Sequence, residues 1–170
     1  MRALFHAALL ASFCVSLGAC RQIICSSRRD VGEIAALSAA IENYKADHGK
    51  YPSDPRSTEL LRPNTTFDPV QYATSSRFLY RTLSGDSDGN PATRSSADTK
   101  PYYDFKYEVL SGRPYGPRTH ILDPWRNSYG YSTFKAVNPE SPDGNNPTFD
   151  LWSTAGGTTK EAKPKWTTNW

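Results

Sequence analysis

Apolar positions recur with the period of an α-helix between Val31 and Asp47. Their spacings of 3, 4 and 3 residues place them on one stripe of such a helix. The stripe consists of Ile34, Leu37, Ile41 and Tyr44. Asp30, followed three residues later by Glu33, predicts the N-cap of this helix. Gly49 suits a left-handed C-cap, and Pro52 cannot continue the helix. We therefore expect the helical pattern to end at Asp47, shortly before Gly49.

The segment that follows predicts shorter elements. A short helix is expected from Ser57 to Leu61, and one or two helical turns from Phe78 to Leu83, before Gly85. Residues 84–101 are polar and lack periodicity, which predicts a mobile loop.

Alternation of apolar and polar residues predicts strands in the second half of the chain. Residues 103–109 alternate aromatic or apolar with charged side chains, as in a half-buried strand. Residues 129–134 and 148–153 predict two further strands, and the Pro/Gly/Asn-rich segment between them favours an antiparallel hairpin. One long N-terminal helix packed on a small antiparallel sheet with long loops is an α+β fold.

The first nineteen residues have the order of an export signal peptide. Arg2 is followed by an almost wholly apolar run to Leu17, and small residues then precede Cys20. The tetrad LGAC resembles a bacterial lipobox, which predicts that Cys20 is lipidated. The alternative is an ordinary cleaved signal with an incidental cysteine. The chain is therefore divided into a signal peptide (1–19), a tether (20–30) and a domain (31–170).

Composition limits the class of protein. The hydrophobic fraction of 37% and the mean hydropathy of -0.64 exclude a polytopic membrane protein. The net charge of +3 is too small for a dedicated nucleic-acid-binding domain. Cys20 and Cys25, which follow the signal, form no disulfide framework, and no histidine lies near them to suggest a metal site.

The sequence contains no catalytic constellation, so we expect a non-enzymatic protein without a cofactor. His48 and His120 are the histidines that follow the signal, and no serine or cysteine signature accompanies either. Asp123 is predicted to cap the turn fixed by Pro124, with Trp125 anchoring that turn in the core. Asp150 interrupts an apolar strand, which leaves two alternatives: a carboxylate opposite its apolar neighbours, or a buried one accepting backbone N–H groups.

Three motifs in order resemble the major pseudopilin family of bacterial type II secretion systems. The end of that family's helix is similar to AALSAAIENYKADHGKYPS in this chain. The family's Asp-Pro-Trp-Gly-Asn-x-Tyr segment is similar to DPWRNSYGYS, in which Arg126 stands in place of glycine. The family's strand before a glycine-rich loop is similar to FDLWSTAGG. The terminal TTNW resembles its Asn-Trp ending. Positions that the resemblance marks are Tyr51, Pro52, Asp123, Pro124, Trp125, Tyr129, Asp150 and Trp170. The resemblance implies a pilin-like domain.

The chain departs from the family at both ends. A lipoprotein-type signal stands in place of the prepilin leader and its long apolar helix, which implies an accessory or repurposed pilin-like lipoprotein. The family's last loop typically binds Ca²⁺; here the corresponding candidates are Thr154, Gly157 and Glu161, and the nearby lysines oppose a dication. We therefore expect Trp166 and Trp170 to hold this loop by packing.

The function predicted from these features is protein–protein contact outside the cytoplasm, as a pseudopilin-like component of a type II secretion or related pilus-type system. The expected partners are other pseudopilins or secretion-system components, with the membrane reached through a lipid anchor, and no nucleic acid. The alternative is a lipid-anchored module that binds glycans or peptides through exposed aromatic side chains. Its candidates are Tyr102, Tyr103, Tyr115, Trp152 and Trp166.

Overall fold

The computed structural model describes residues 2–93 and 99–170, with side chains from residue 25 onward. Its helices are α1 (Arg2–His48), α2 (Ala73–Ser84) and the short α3 (Phe134–Val137), and 3-10 turns cover Pro69–Tyr72, Tyr107–Val109 and Lys160–Lys165. Its strands are β1 (Gly130–Ser132), β2 (Asp150–Ser153) and β3 (Thr167–Thr168). The described residues thus form an α+β fold with a long N-terminal helix and a small sheet.

The sheet is antiparallel with strand order β1-β2-β3. Tyr131 pairs with Leu151 in β1 and β2, and Trp152 pairs with Thr168 in β2 and β3. The predicted hairpin of the second half is therefore confirmed. The third strand was missed because two threonines carry no alternating pattern to detect.

Helix α1 lies against β2 and β3 through the predicted stripe. Ile34, Leu37 and Ile41 are at most 4% exposed, and Tyr44 at the end of the stripe is half-buried. Burying such side chains contributes about 1.5–3 kcal/mol each. They share one core cluster with aromatic and aliphatic residues of the C-terminal half: Tyr129, Tyr131, Phe149 and Leu151.

The predicted end of α1 is confirmed, whereas its predicted start is wrong. The helix ends at His48, and Gly49 follows with φ of 73° and donates its N–H to Lys45 at 2.8 Å. Residues 25–30 are already helical, so the supposed tether is helix there and Asp30 is not an N-cap. Asp30 is instead fully buried against the sheet, and this tertiary contact outweighs its preference for a cap. Cys20 and the predicted signal peptide (1–19) lie outside the residues whose side chains are described.

Two further predictions differ from the structure. Residues 103–106 are irregular and Tyr107–Val109 is a 3-10 turn, so no strand forms over 103–109. The aromatic side chains there pack on one another and on α2, with ring centroids 4.7 Å apart for Tyr103 and Phe105 and 5.3 Å apart for Tyr80 and Phe105. The short helix expected from Ser57 to Leu61 is a run of turns.

The helix before Gly85 is longer than predicted, because α2 already begins at Ala73. The loop predicted over 84–101 is hydrogen-bonded where it is described. Asp86 is buried and accepts from the Tyr80 hydroxyl at 3.0 Å and from the Gly89 N–H at 3.0 Å. Residues 94–98 of that prediction lie outside the described residues.

Candidate functional site

Tyr129 joins the helix to the sheet by polar contacts at its ring hydroxyl. The hydroxyl lies 2.8 Å from Asp30 Oδ1 and 2.9 Å from Glu33 Oε2, and Arg29 Nε donates to the same Glu33 carboxylate at 2.8 Å. One hydroxyl hydrogen serves one acceptor at a time. Asp30 and Glu33 therefore share this hydrogen, and burial raises the pKa of Asp30 above its ordinary value. This contact could not be predicted from the sequence, because no local pattern relates residues that lie almost one hundred positions apart.

A second buried carboxylate, that of Asp123, lies in the turn that precedes β1. Asp123 Oδ1 accepts the N–H groups of Trp125 at 2.9 Å and Asn127 at 2.8 Å, and Oδ2 accepts the Ser153 hydroxyl at 2.7 Å. The predicted cap of this turn is confirmed. Burial raises the pKa of Asp123 to about 6, and the charge of Asp30 adds to the shift. We call Asp30, Glu33, Tyr129, Asp123 and Ser153 the seam cluster.

Trp125 and Arg126, which complete this turn, differ from what the sequence predicts. Trp125 is half-buried beside Gly156 and belongs to neither core cluster, so its prediction as a core anchor is wrong. Arg126 stands where the resembled segment has glycine, and it adopts φ of 69°. A non-glycine residue in this left-handed region is strained. Its guanidinium donates to the carbonyl of Glu108 at 2.8 Å.

The Tyr51-Pro52 motif also connects helix and sheet. The Tyr51 hydroxyl donates to Glu42 Oε1 at 3.0 Å, and the Lys45 ammonium lies 4.9 Å from the centre of the Tyr51 ring. The buried Tyr131 hydroxyl donates to the carbonyl of Pro52 at 2.7 Å. These contacts fix the chain where it leaves α1.

Asp150 follows the second of its two alternatives. It is 1% exposed and accepts the N–H groups of Asn145 at 2.9 Å and Asn146 at 2.8 Å, although burial still raises its pKa above the ordinary value. Asn169 of the terminal TTNW accepts the Leu151 N–H at 2.8 Å with its side chain and donates its own N–H to the Leu151 carbonyl at 3.1 Å. The C-terminal motif therefore continues the sheet edge.

The calcium candidates are occupied by contacts within their own loop. The Thr154 carbonyl accepts the Gly157 N–H at 2.8 Å, and the Gly157 carbonyl accepts the Trp166 indole N–H at 3.1 Å. Glu161 is exposed. In the part of the chain with described side chains, no group of three or more His, Cys, Asp or Glu lies close enough to hold a metal ion. Lys163 donates to Asn64 Oδ1 beside this loop.

The aromatic candidates for ligand binding are packed within the protein. Trp152 is fully buried and Trp166 is 8% exposed, and their rings stack in parallel with centroids 6.4 Å apart. Tyr102, Tyr103 and Tyr115 are half-buried. Trp170 is 39% exposed and meets Trp152 edge-on at 6.0 Å. The expected packing of the last loop by Trp166 and Trp170 is thus observed.

His48 and His120 have local partners. His120 Nδ1 lies 2.7 Å from the Ser111 hydroxyl and 3.2 Å from the Arg118 carbonyl, and burial lowers its pKa. His48 stacks on Tyr44, with ring centroids 4.0 Å apart. His48 Nδ1 also lies 3.0 Å from the Tyr44 carbonyl and 3.4 Å from the Tyr102 hydroxyl, which donates to Asp47 Oδ2 at 2.8 Å.

No helix of the described residues combines the length and the apolar character needed to cross a membrane. Comparison with known proteins gave no match to any family model, curated protein or solved structure. The contact between α1 and the sheet is therefore the structural basis of the function proposed below.

Proposed function

We propose that this chain is a non-enzymatic, pseudopilin-like component of a type II secretion or related pilus-type system, acting by protein–protein contact outside the cytoplasm. The observation that carries the proposal is the packing of one long helix, through a single apolar stripe, on an antiparallel sheet made by the C-terminal part of the chain. A pilin-like domain has this layout.

The motifs behind the resemblance support the proposal by their structural roles. Pro52 accepts a hydrogen bond from β1, Asp123 caps the turn before that strand, and Asn169 bonds to β2. Motifs scattered along the sequence therefore act on the same helix–sheet unit. Such roles suit a structural subunit, because they stabilise one rigid body.

Partner contact is assigned to the exposed side of α1. Val31 is 59% exposed, and Ala35 and Ala39 on the same helix are also exposed. Small side chains allow a neighbouring element to approach closely. Cys20, ahead of this region in sequence, would carry the lipid that retains the protein at a cell-envelope membrane.

In-cell photo-cross-linking tests the proposed partners. A photo-reactive phenylalanine analogue replaces Val31 on α1 or, as the matched control, Val137, which is 51% exposed on α3. We expect the Val31 variant to cross-link to pseudopilins or other secretion-system components identified by mass spectrometry, and the Val137 variant to give little of the same product. Equal yields from both positions, or no secretion-system component from Val31, would contradict the proposal.

Metabolic labelling tests the anchor separately. Labelled palmitate should enter the wild-type protein and be absent from Cys20→Ser. Equal labelling of both proteins, or unchanged partitioning of the variant into detergent, would show that the cysteine is not the site of lipidation.

A further inference from the structure

Two adjoining clefts run along α2, between this helix and residues 54–61. The larger has a volume of about 510 Å³ and the smaller about 270 Å³, and both are lined by Ser57 and Thr74. We call the two together the α2 groove. The two clefts adjoin because they share these lining residues, and together they offer more room than a single small ion would fill.

Arginine side chains line the α2 groove. Arg77 and Arg81 lie in the larger cleft and Arg56 in the smaller. Within the described part of the chain, Arg77 has no ion pair, and its Nε is buried without a hydrogen-bond partner. A buried donor left unpaired is costly and uncommon in native proteins. Arg81 is held in place by its bond to the Ser87 carbonyl.

The acidic residues of the groove are already engaged. Asp54 Oδ2 accepts the Ser57 hydroxyl at 2.5 Å. Asp86 is fully buried and bonds to Tyr80 and Gly89, and burial raises its pKa above the ordinary value. The arginines are therefore left with donors for an external acceptor.

We propose that the α2 groove binds an extended acidic segment of a partner protein, with a carboxylate of that segment bound at Arg77. Arginine binds carboxylates through two parallel donors, and such charge-assisted bonds are the strong ones. The hydroxyls of Thr74 and Thr82 offer partners to a peptide backbone, and the half-buried Phe78 ring gives apolar contact. The identity of the partner as a secretion-system protein rests on the proposed function, whereas the binding itself does not.

Fluorescence anisotropy with the purified full chain tests this binding. The probe is a labelled eight-residue peptide of alternating Glu and Ala, compared with the same peptide carrying Gln in place of Glu. We expect the acidic peptide alone to bind, with an affinity that falls as salt is added. Arg77→Gln should weaken binding by about tenfold or more, and Arg77→Lys should weaken it less. Arg28→Gln, at an exposed arginine outside the groove, is the matched control and should bind as wild type.

A second variant keeps the test valid if Arg77→Gln does not fold. Thr74 is exposed and lines both clefts of the α2 groove. Thr74→Glu should therefore preserve the circular-dichroism spectrum and repel the acidic peptide. Equal binding of the Gln peptide, or unchanged binding by both groove variants, would overturn the proposal. Competition by sodium sulfate as strong as by unlabelled peptide would reveal a simple anion site, and preferential binding of polygalacturonate would reveal a glycan site; either result overturns it. A positive peptide result with no secretion-system cross-link from Val31 would retain the groove and reject the assigned system.

Discussion

Replacing Tyr129 by phenylalanine tests how the helix is fixed to the sheet. The change removes one hydroxyl and leaves the fully buried ring in place. The Asp30 carboxylate, which is 0% exposed, and the Glu33 carboxylate then lose the one hydroxyl hydrogen that they share, at oxygen–oxygen distances of 2.8 Å and 2.9 Å. We therefore expect Tyr129→Phe to lower the free energy of unfolding at pH 7.

The size of the loss follows from the charge of the acceptor. A hydrogen bond to a charged group contributes about 1.5–3 kcal/mol, and a neutral one about 0.5–1.5 kcal/mol. Without its donor, the Asp30 carboxylate is harder to keep ionised, so the pKa of this group rises further above its ordinary value. By linkage, the destabilisation should then shrink as the pH falls from 7 to 4, because the protonated form needs the donor less.

Urea unfolding at both pH values measures this effect, and Tyr131→Phe is the matched control. Tyr131 is equally buried and lies two residues further on, in β1, but its hydroxyl donates to the neutral Pro52 carbonyl. Its substitution should cost about 1 kcal/mol at either pH. If Tyr129→Phe costs no more than Tyr131→Phe, or costs more at pH 4 than at pH 7, the assigned role of the carboxylates is refuted.

Three further changes test the sheet and its turns. The pKa of Asp123 is raised from 3.8 to about 6, so the stability that this group contributes is present below pH 4. About 3 kcal/mol of that stability is lost as the pH rises to 6. Urea titrations should show this fall in the wild type and a smaller one in Asp123→Asn. Ala155 has φ of 49°, so Ala155→Gly should raise the melting temperature by relieving strain of about 0.5–1 kcal/mol, whereas Ala46→Gly within α1 should lower it. A Cβ at Gly130 would overlap the buried Trp152 ring, so Gly130→Ala should cost about 3 kcal/mol or more by calorimetry, and a neutral effect would contradict the described packing.

The apolar stripe of α1 could be predicted because it is local. Ile34, Leu37 and Ile41 recur at the helical period, and burial of that face follows directly. The hairpin partners Tyr131 and Leu151 were predictable for the same reason, since alternation and a turn-rich segment mark two neighbouring strands.

The remaining errors arise where tertiary contacts decide the local structure. Asp30 has the preferences of a helix cap, yet burial against Tyr129 places it within α1. Tyr103 and Phe105 alternate as in a strand, but their rings pack together and no neighbouring strand pairs with them in the described residues. The unpaired Nε of Arg77 had no sequence signal, because an unsatisfied donor is defined only by its surroundings.

The seam cluster and the α2 groove share no residue, so the two proposals fail independently. Loss of the Tyr129 hydroxyl should change stability, and it should leave peptide binding unaltered wherever the protein remains folded. Loss of the Arg77 charge should weaken peptide binding by about tenfold or more with little change in stability, because that guanidinium makes no ion pair to lose in the described part of the chain. If Arg77→Gln instead destabilises the protein as much as Tyr129→Phe does, Arg77 is a structural residue and the groove has no claim to a ligand.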